Sequence, residues 1–276
     1  MIRDPEANRL RGVIDAVEEA TGTLPELIAA ARRAVDTLRA AVGPAVEKAT
    51  ACDLASRRYA LGEEIAALAE TGVVPDIAKR AAAAVAASQA AIAERDILST
   101  ALETAETILK SRTHGGLDEM LDLLRERRSR LFSEVAAIAG PVAGRDLTTD
   151  PMRLPEETRV AYLQVFDLAT VEAKIVTAYD RLARVMGSPN VDDGLFAAYR
   201  NAPDVWGPQL QARHINAWRP SPRTDDKVEQ LLWLAGLGRE YAAAKPEPWL
   251  PTPDERDAAM TAYAEPRKLK STAWTT

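Results

Sequence analysis

Two histidines, His114 and His214, and a single cysteine, Cys52, set the range of chemistry open to this chain. A metal site in a helical bundle draws on paired Glu-x-x-His segments, and a hydrolytic zinc site on His-Glu-x-x-His. Neither spacing occurs. His114 stands beside Gly115-Gly116 and reads as a solvent-exposed or capping residue of a turn. His214 lies four residues before Trp218, and an enzymatic pocket, if the chain formed one, would gather there with Arg213 and nearby carboxylates. A packed, hydrogen-bonded histidine is the simpler reading. The paired carboxylates Glu18-Glu19, Glu63-Glu64, Glu156-Glu157, Asp192-Asp193 and Asp225-Asp226 are adjacent, so on a helix they diverge by about 100° instead of sharing a face. They suit solubility and the positive ends of helices. No Gly-x-Ser-x-Gly turn and no phosphate loop is present, and Gly236-Leu237-Gly238 lacks the third glycine of a dinucleotide site. The expectation is no catalytic residue, no cofactor and no metal.

The cations point in a different direction. Arg125, Arg127, Arg128 and Arg130 form a basic run, but Asp122 to Arg125 and Glu126 to Arg130 have helical pairing spacings, so the run reads as a solvated face. Arg267, Lys268 and Lys270 near the C-terminus have fewer acidic neighbours and could dock on an acidic surface. All five tryptophans, at 206, 218, 233, 249 and 274, lie beyond residue 200, among recurring prolines. Tryptophan is enriched at interface anchors, and extended proline segments lose little entropy on docking. Trp206, Trp218 and Trp233 with Leu237 could equally form a small second core. Trp249 with Leu250, and Trp274, stand in extended or terminal segments and are expected to insert into another surface, of this chain or of a neighbour.

The elements that would position these residues are helical throughout. The 276 residues are rich in alanine and poor in glycine, with a net charge of −6 that gives no reason to expect nucleic acid. No segment is apolar enough to insert in a membrane, and the start lacks a secretion signal, so synthesis in the cytoplasm is expected. Cys52 reads as a small buried apolar residue. Helices are predicted from Pro5 to Gly22, from a Thr23–Glu26 capping box to Gly43-Pro44, and from Val46 to Thr71-Gly72, with Pro44 starting or kinking a helix. Residues 75–110 contain no glycine and no internal proline, and carry a heptad through Ile77, Ala81, Ala84, Ser88, Ala91, Arg95, Leu98, Leu102, Ala105 and Leu109. A glycine turn and a returning helix complete an antiparallel hairpin over 75–139.

Residues 141–155 break the periodicity and are expected as a hinge between a 1–140 long-helix bundle and a 156–276 section. That section has a long helix from Glu156 to about Met186, with Val160, Leu163, Phe166, Val171, Ile175, Ala178, Leu182 and Val185 on its apolar side. Short helices are predicted at Asp192–Arg200, Pro208–Trp218, Asp225–Ala243 and Pro253–Ala264, capped in part by Thr224 and a Thr252–Glu255 box. The stretch around Trp249 is expected to be extended, and the last eleven residues to be without period.

Tyr59-Ala60-Leu61-Gly62-Glu63 is similar to the Tyr-x-x-x-Asp/Glu export signal of type VII secretion substrates, which are alanine-rich helical hairpins. The chain departs from that family in its turn, His114-Gly115-Gly116 instead of Trp-x-Gly, and in the placement of Tyr59 before the hairpin, so membership is not inferred.

An all-α fold with rod-like helices, an anchor-bearing tail and no convergent reactive set points to a non-enzymatic structural subunit of a symmetric assembly. The concrete version is a bacteriophage capsid, connector or tail component, incorporated into a virion, whose partners are copies of itself or other structural proteins. The alternatives are a helical adaptor that binds a different protein through the Trp/Pro section, and an enzyme built around His214.

Overall fold

The computed structural model describes residues 5–72, 76–145, 147, 153–187, 199–201, 226–238 and 245–272, except the side chains of 56 and 263–272. Among them the fold is all-α, as the composition predicts. The helices are α1 (Pro5–Thr21), α2 (Glu26–Ala51), α3 (Leu54–Glu70), α4 (Ile77–Gly115), α5 (Leu117–Ile138), α6 (Glu156–Val185), α7 (Lys227–Leu234) and α8 (Pro253–Thr272). The chain forms two compact units, one of Met1–Pro25 with Gly116–Thr276 and one of Glu26–Gly115. α4 therefore belongs to the smaller unit and α5 to the larger.

In the smaller unit α4 lies mainly against α2 and makes a lesser contact with α3. Arg39 pairs with Glu106 at 2.9 Å and Lys48 with Glu94 at 2.6 Å. One set of partners rises in number as the other falls, so α2 and α4 run antiparallel. Along the heptad read from the sequence, Ala84, Ser88, Ala91, Ala105 and Leu109 are buried, Arg95, Leu98 and Leu102 are half-buried, and Ile77 and Ala81 are exposed. Ala91 meets Ala49 and Cys52 in a cluster of small side chains. Arg95, the interruption in that heptad, pairs with Asp96 at 2.7 Å.

α2 does not stop at Gly43-Pro44 as expected but runs through both. Proline in a helix interior removes a hydrogen bond and crowds the preceding turn, at about 3 kcal/mol. Val35, Ala45 and Ala49 are buried on either side of it, and this packing carries the helix through. The predicted Thr23–Glu26 box also does not form, because Thr23 is bonded to Thr21 and Pro25 directly precedes the helix. Gly22 and Gly72 do end their helices with positive φ, at 75° and 78°.

In the larger unit α1, α5 and α6 pack together, with α7 against α6. Lys174 reaches Glu19 at 3.1 Å, and Arg181 donates to the Gly12 carbonyl at 3.1 Å, so α1 and α6 are antiparallel. Ile14, Val17, Leu121, Leu124, Leu131 and Ile175 are among the fully buried side chains.

Part of the expected hinge at 141–155 is packed, while Gly144, Arg145, Arg153 and Pro155 are exposed. Val142 and Leu147 are buried, the Gly144 amide donates to Leu237 O, and the Leu147 amide to a Glu229 carboxylate oxygen. Its glycines and prolines break the helix, yet its apolar residues still join the core, so the units divide at 25/26 and 115/116.

α7 is capped by Asp226; Thr224, the expected cap, lies outside the described residues. Asp226 Oδ1 accepts from the Val228 and Glu229 amides, and Oδ2 accepts from the Tyr162 hydroxyl.

The buried face of α6 also differs from the expected one. Ile175, Ala178 and Leu182 are buried, but in the first half the inward residues are Thr158, Ala161, Tyr162, Val165, Ala169 and Glu172. Val160, Leu163 and Phe166 are exposed. No helix among the described residues is long and apolar enough to cross a membrane.

Candidate functional site

The proline-rich stretch 245–252 is extended, as its composition predicts, and the way it is held defines the most developed site in the larger unit. Proline has no N–H, so a segment carrying Pro246, Pro248 and Pro251 presents more backbone acceptors than donors. Donor-only and hydroxyl side chains from α5 and α6 supply the difference. Arg128 Nη1 donates to Trp249 O at 2.8 Å, Arg125 Nε to Leu250 O at 2.9 Å, and the Tyr179 hydroxyl to Pro251 O at 2.8 Å. Three consecutive carbonyls are thus fixed to the two helices.

The other edge of the stretch pairs with residues 199–201. Tyr199 and Pro248 form an isolated antiparallel bridge, and the Arg200 amide donates to Glu247 O at 2.9 Å. The Asn201 side chain completes the pairing by donating to Lys245 O and accepting from the Glu247 amide. Tyr199 is buried and meets Trp233 edge to face, with ring centroids 5.5 Å apart. Burial raises its hydroxyl far above the ordinary tyrosine range.

Below the stretch is a buried ion pair. Arg128 and Glu172 are 5% and 7% exposed. Nε and Nη2 of Arg128 both donate to Glu172 Oε1, at 2.9 and 2.6 Å, and its guanidinium carbon lies 5.4 Å from the Phe132 ring centre. At the outer end Arg125 pairs with Glu255 at 2.5 Å. Glu255 closes the predicted capping box of α8, accepting from the Thr252 amide at 2.7 Å while its own amide donates to Thr252 Oγ1 at 3.1 Å. Burial alone would raise the Glu255 carboxyl, but the Thr252 amide and the Arg125 guanidinium outweigh it and hold the group below its ordinary value.

Between α5 and the stretch opens a cavity of about 510 Å³, whose lining includes Arg125, Arg128, Phe132, Arg200, Glu247 and Trp249. Its chemistry is that of recognition: fixed guanidinium groups, carboxylates and apolar surface.

Of the residues expected to meet a partner, Leu250 is buried in its own unit and Trp249 is half-buried on the cavity wall. Leu250 is thus received within its own unit. Arg267, Lys268 and Lys270 fall within α8, which continues to Thr272 through a stretch expected to be irregular. Trp274, His214, Arg213, Trp206 and Trp218 lie outside the described residues. His114 is exposed in the last turn of α4. Among the described residues no cluster of three His, Cys, Asp or Glu side chains could hold a metal ion.

Sequence reading missed Arg128 and Glu172. Arg128 belongs to a basic run whose spacings read as a solvated face, and a glutamate at 172 does not count toward an apolar face. The available signal was their register. Arg128 falls on the same helical stripe as Leu121, Leu124, Leu131 and Val135, and Glu172 on that of Ala169 and Ile175.

No protein-family model matches the chain, and comparisons with curated proteins and with solved structures likewise find no match.

Proposed function

We propose that the protein is a non-enzymatic, self-associating structural subunit, and that the outward face of α4 is where a second copy docks. The observation that carries this reading is a long uncharged stripe on the side of α4 turned away from α2. Ala83, Ala86, Ala90 and Ala93, followed by Ile97, Thr100, Thr104 and Ile108, recur at spacings of three or four residues and are all exposed. Ile97 and Ile108 are 68% and 49% exposed. With about 1.5 Å of rise per residue the stripe runs for roughly 40 Å.

The unit that carries the stripe has a thin core. Among the described residues its buried side chains are five alanines, Ser88, Thr113, Ile28, Val35, Cys52 and Leu109, and α3 contributes none. A unit that buries so little apolar surface gains from association. The small side chains of the stripe let two backbones approach closely, and the isoleucines supply the large contacts. A second copy is the favoured occupant because the stripe carries no charge that would call for a complementary partner, so like can pack on like. A symmetric assembly follows, and a bacteriophage virion is the concrete setting expected from the sequence.

Light scattering on the full chain across a range of concentrations tests the reading. Wild type is expected to form oligomers, and Ile97→Glu to shift the protein to monomer with its helix content intact. A wild type that remains monomeric at high concentration would refute the proposal.

A further inference from the structure

We propose that the cavity beneath the proline-rich stretch binds a small zwitterion with an apolar body, an α-amino acid bearing a hydrophobic side chain, with its carboxylate on Arg200 and its ammonium on Glu247.

The three cations of the lining are not equivalent. Arg125 is held by Glu255 and Leu250 O, and Arg128 by Glu172 and Trp249 O. Among the described residues the Arg200 side chain makes no ion pair or hydrogen bond, and neither does that of Glu247; both are exposed at the cavity. Tyr199 and Pro248 are directly paired, so the next residues along the two strands, Arg200 and Glu247, oppose each other. Their side chains lie on the face opposite that of Tyr199, which points into the core.

One cation and one anion thus stand side by side at the mouth of a cavity whose other described charges are already satisfied. A guanidinium matches a carboxylate in a two-pronged geometry, and a carboxylate accepts from an ammonium. The groups of an α-amino acid are separated by a single carbon, which suits opposed residues of adjacent strands. Phe132 and Trp249 line the space that its side chain would enter. At about 510 Å³ the cavity lies within the usual span of ligand sites, roughly 300 to 1,000 Å³.

The inference is independent of self-association, and the Ile97→Glu chain should keep the site. Calorimetric titration of the full chain with L-phenylalanine, N-acetyl-L-phenylalanine and L-phenylalanine amide tests it. The acetylated compound lacks the ammonium and the amide lacks the carboxylate. Phenylalanine should bind about tenfold or more tightly than either, because each blocked end removes a hydrogen-bonded charge. Arg200→Gln should erase the preference over the amide, and Glu247→Gln the preference over the acetylated compound. Both positions are exposed, and a thermal melt checks that each variant folds. The proposal fails if phenylalanine gives no binding heat, if a blocked compound binds as well as phenylalanine, or if the preferences survive in both variants.

Discussion

Arg128 places two of its hydrogen bonds on a single oxygen of Glu172, leaving the other oxygen, Oε2, buried with no hydrogen-bond partner among the described residues. The pair is therefore asymmetric in what its loss would do. Arg128→Met strands a buried carboxylate and also releases Trp249 O, so it should destabilise the protein by about 3–5 kcal/mol. Changing Glu172 to Met as well removes the stranded charge, and the double variant should be more stable than Arg128→Met alone. Urea midpoints of the wild type, both single variants and the double variant measure this cycle. A cost below about 1 kcal/mol for Arg128→Met would mean that the pair is effectively hydrated.

Tyr179 couples the extended stretch to α6 and gives stability an alkaline limit. Burial is the main cause that raises its hydroxyl from 10.0 to about 12. The folded state therefore keeps its proton where the unfolded state has lost it. The contribution is fully present below pH 10 and disappears as pH rises toward 12, amounting to at most about 2–3 kcal/mol for a two-unit shift. Tyr179→Phe should cost about 1–3 kcal/mol at neutral pH, because Pro251 O loses its donor. It should also remove part of the alkaline decline, although Tyr162, likewise raised to about 12 by burial and by Asp226, will retain its share.

At the acid end the corresponding group is Glu255. Its carboxyl is lowered in the fold, so its contribution is present above the ordinary glutamate value and is lost as pH falls through the folded value. The side chain is 46% exposed, which limits the effect to about 1 kcal/mol. Glu255→Gln should flatten the acid side of the stability profile by that amount, and Thr252→Ala should cost about 0.5–2 kcal/mol through loss of the cap. Chemical denaturation between pH 3 and pH 7 reads both.

How far the fold was legible depended on whether local signals or packing decided each element. The helix ends at Gly22 and Gly72 and the Thr252–Glu255 box are local, and the sequence shows them; the heptad of α4 holds from Ala84 to Leu109 but not at Ile77 and Ala81, which are exposed. The composition around Trp249 likewise gave an extended segment, because proline fixes its own φ and biases its neighbour. Where packing overrides local preference the reading failed. Pro44 sits inside α2, and Val142 and Leu147 place part of an apparent hinge in the core. The site is legible only in outline: Trp249 and Leu250 stand out, but their carbonyls are held by α5 arginines whose spacing reads as a solvated run, backed by an α6 glutamate that no apolar pattern marks. Buried charge is invisible to an apolar periodicity, since the residues that define the face are the ones such a reading discards.

Pro44 offers the most direct measure of how strongly packing overrides local preference. It lies in the interior of α2 at an exposed position, between the buried Val35 and Ala45. Replacing it with alanine restores a backbone N–H and removes the ring's clash with the preceding turn, a gain of up to about 3 kcal/mol. Proline also restricts the unfolded chain, and losing that restriction offsets roughly 0.4–1 kcal/mol. Pro44→Ala is therefore expected to stabilise the protein by about 1–2 kcal/mol, seen as a higher denaturant midpoint with an unchanged slope. A lower midpoint would carry the opposite meaning. It would show that α2 needs the bend a proline imposes in order to lay both Val35 and Ala49 against α4, and that the proline is part of how the two helices fit.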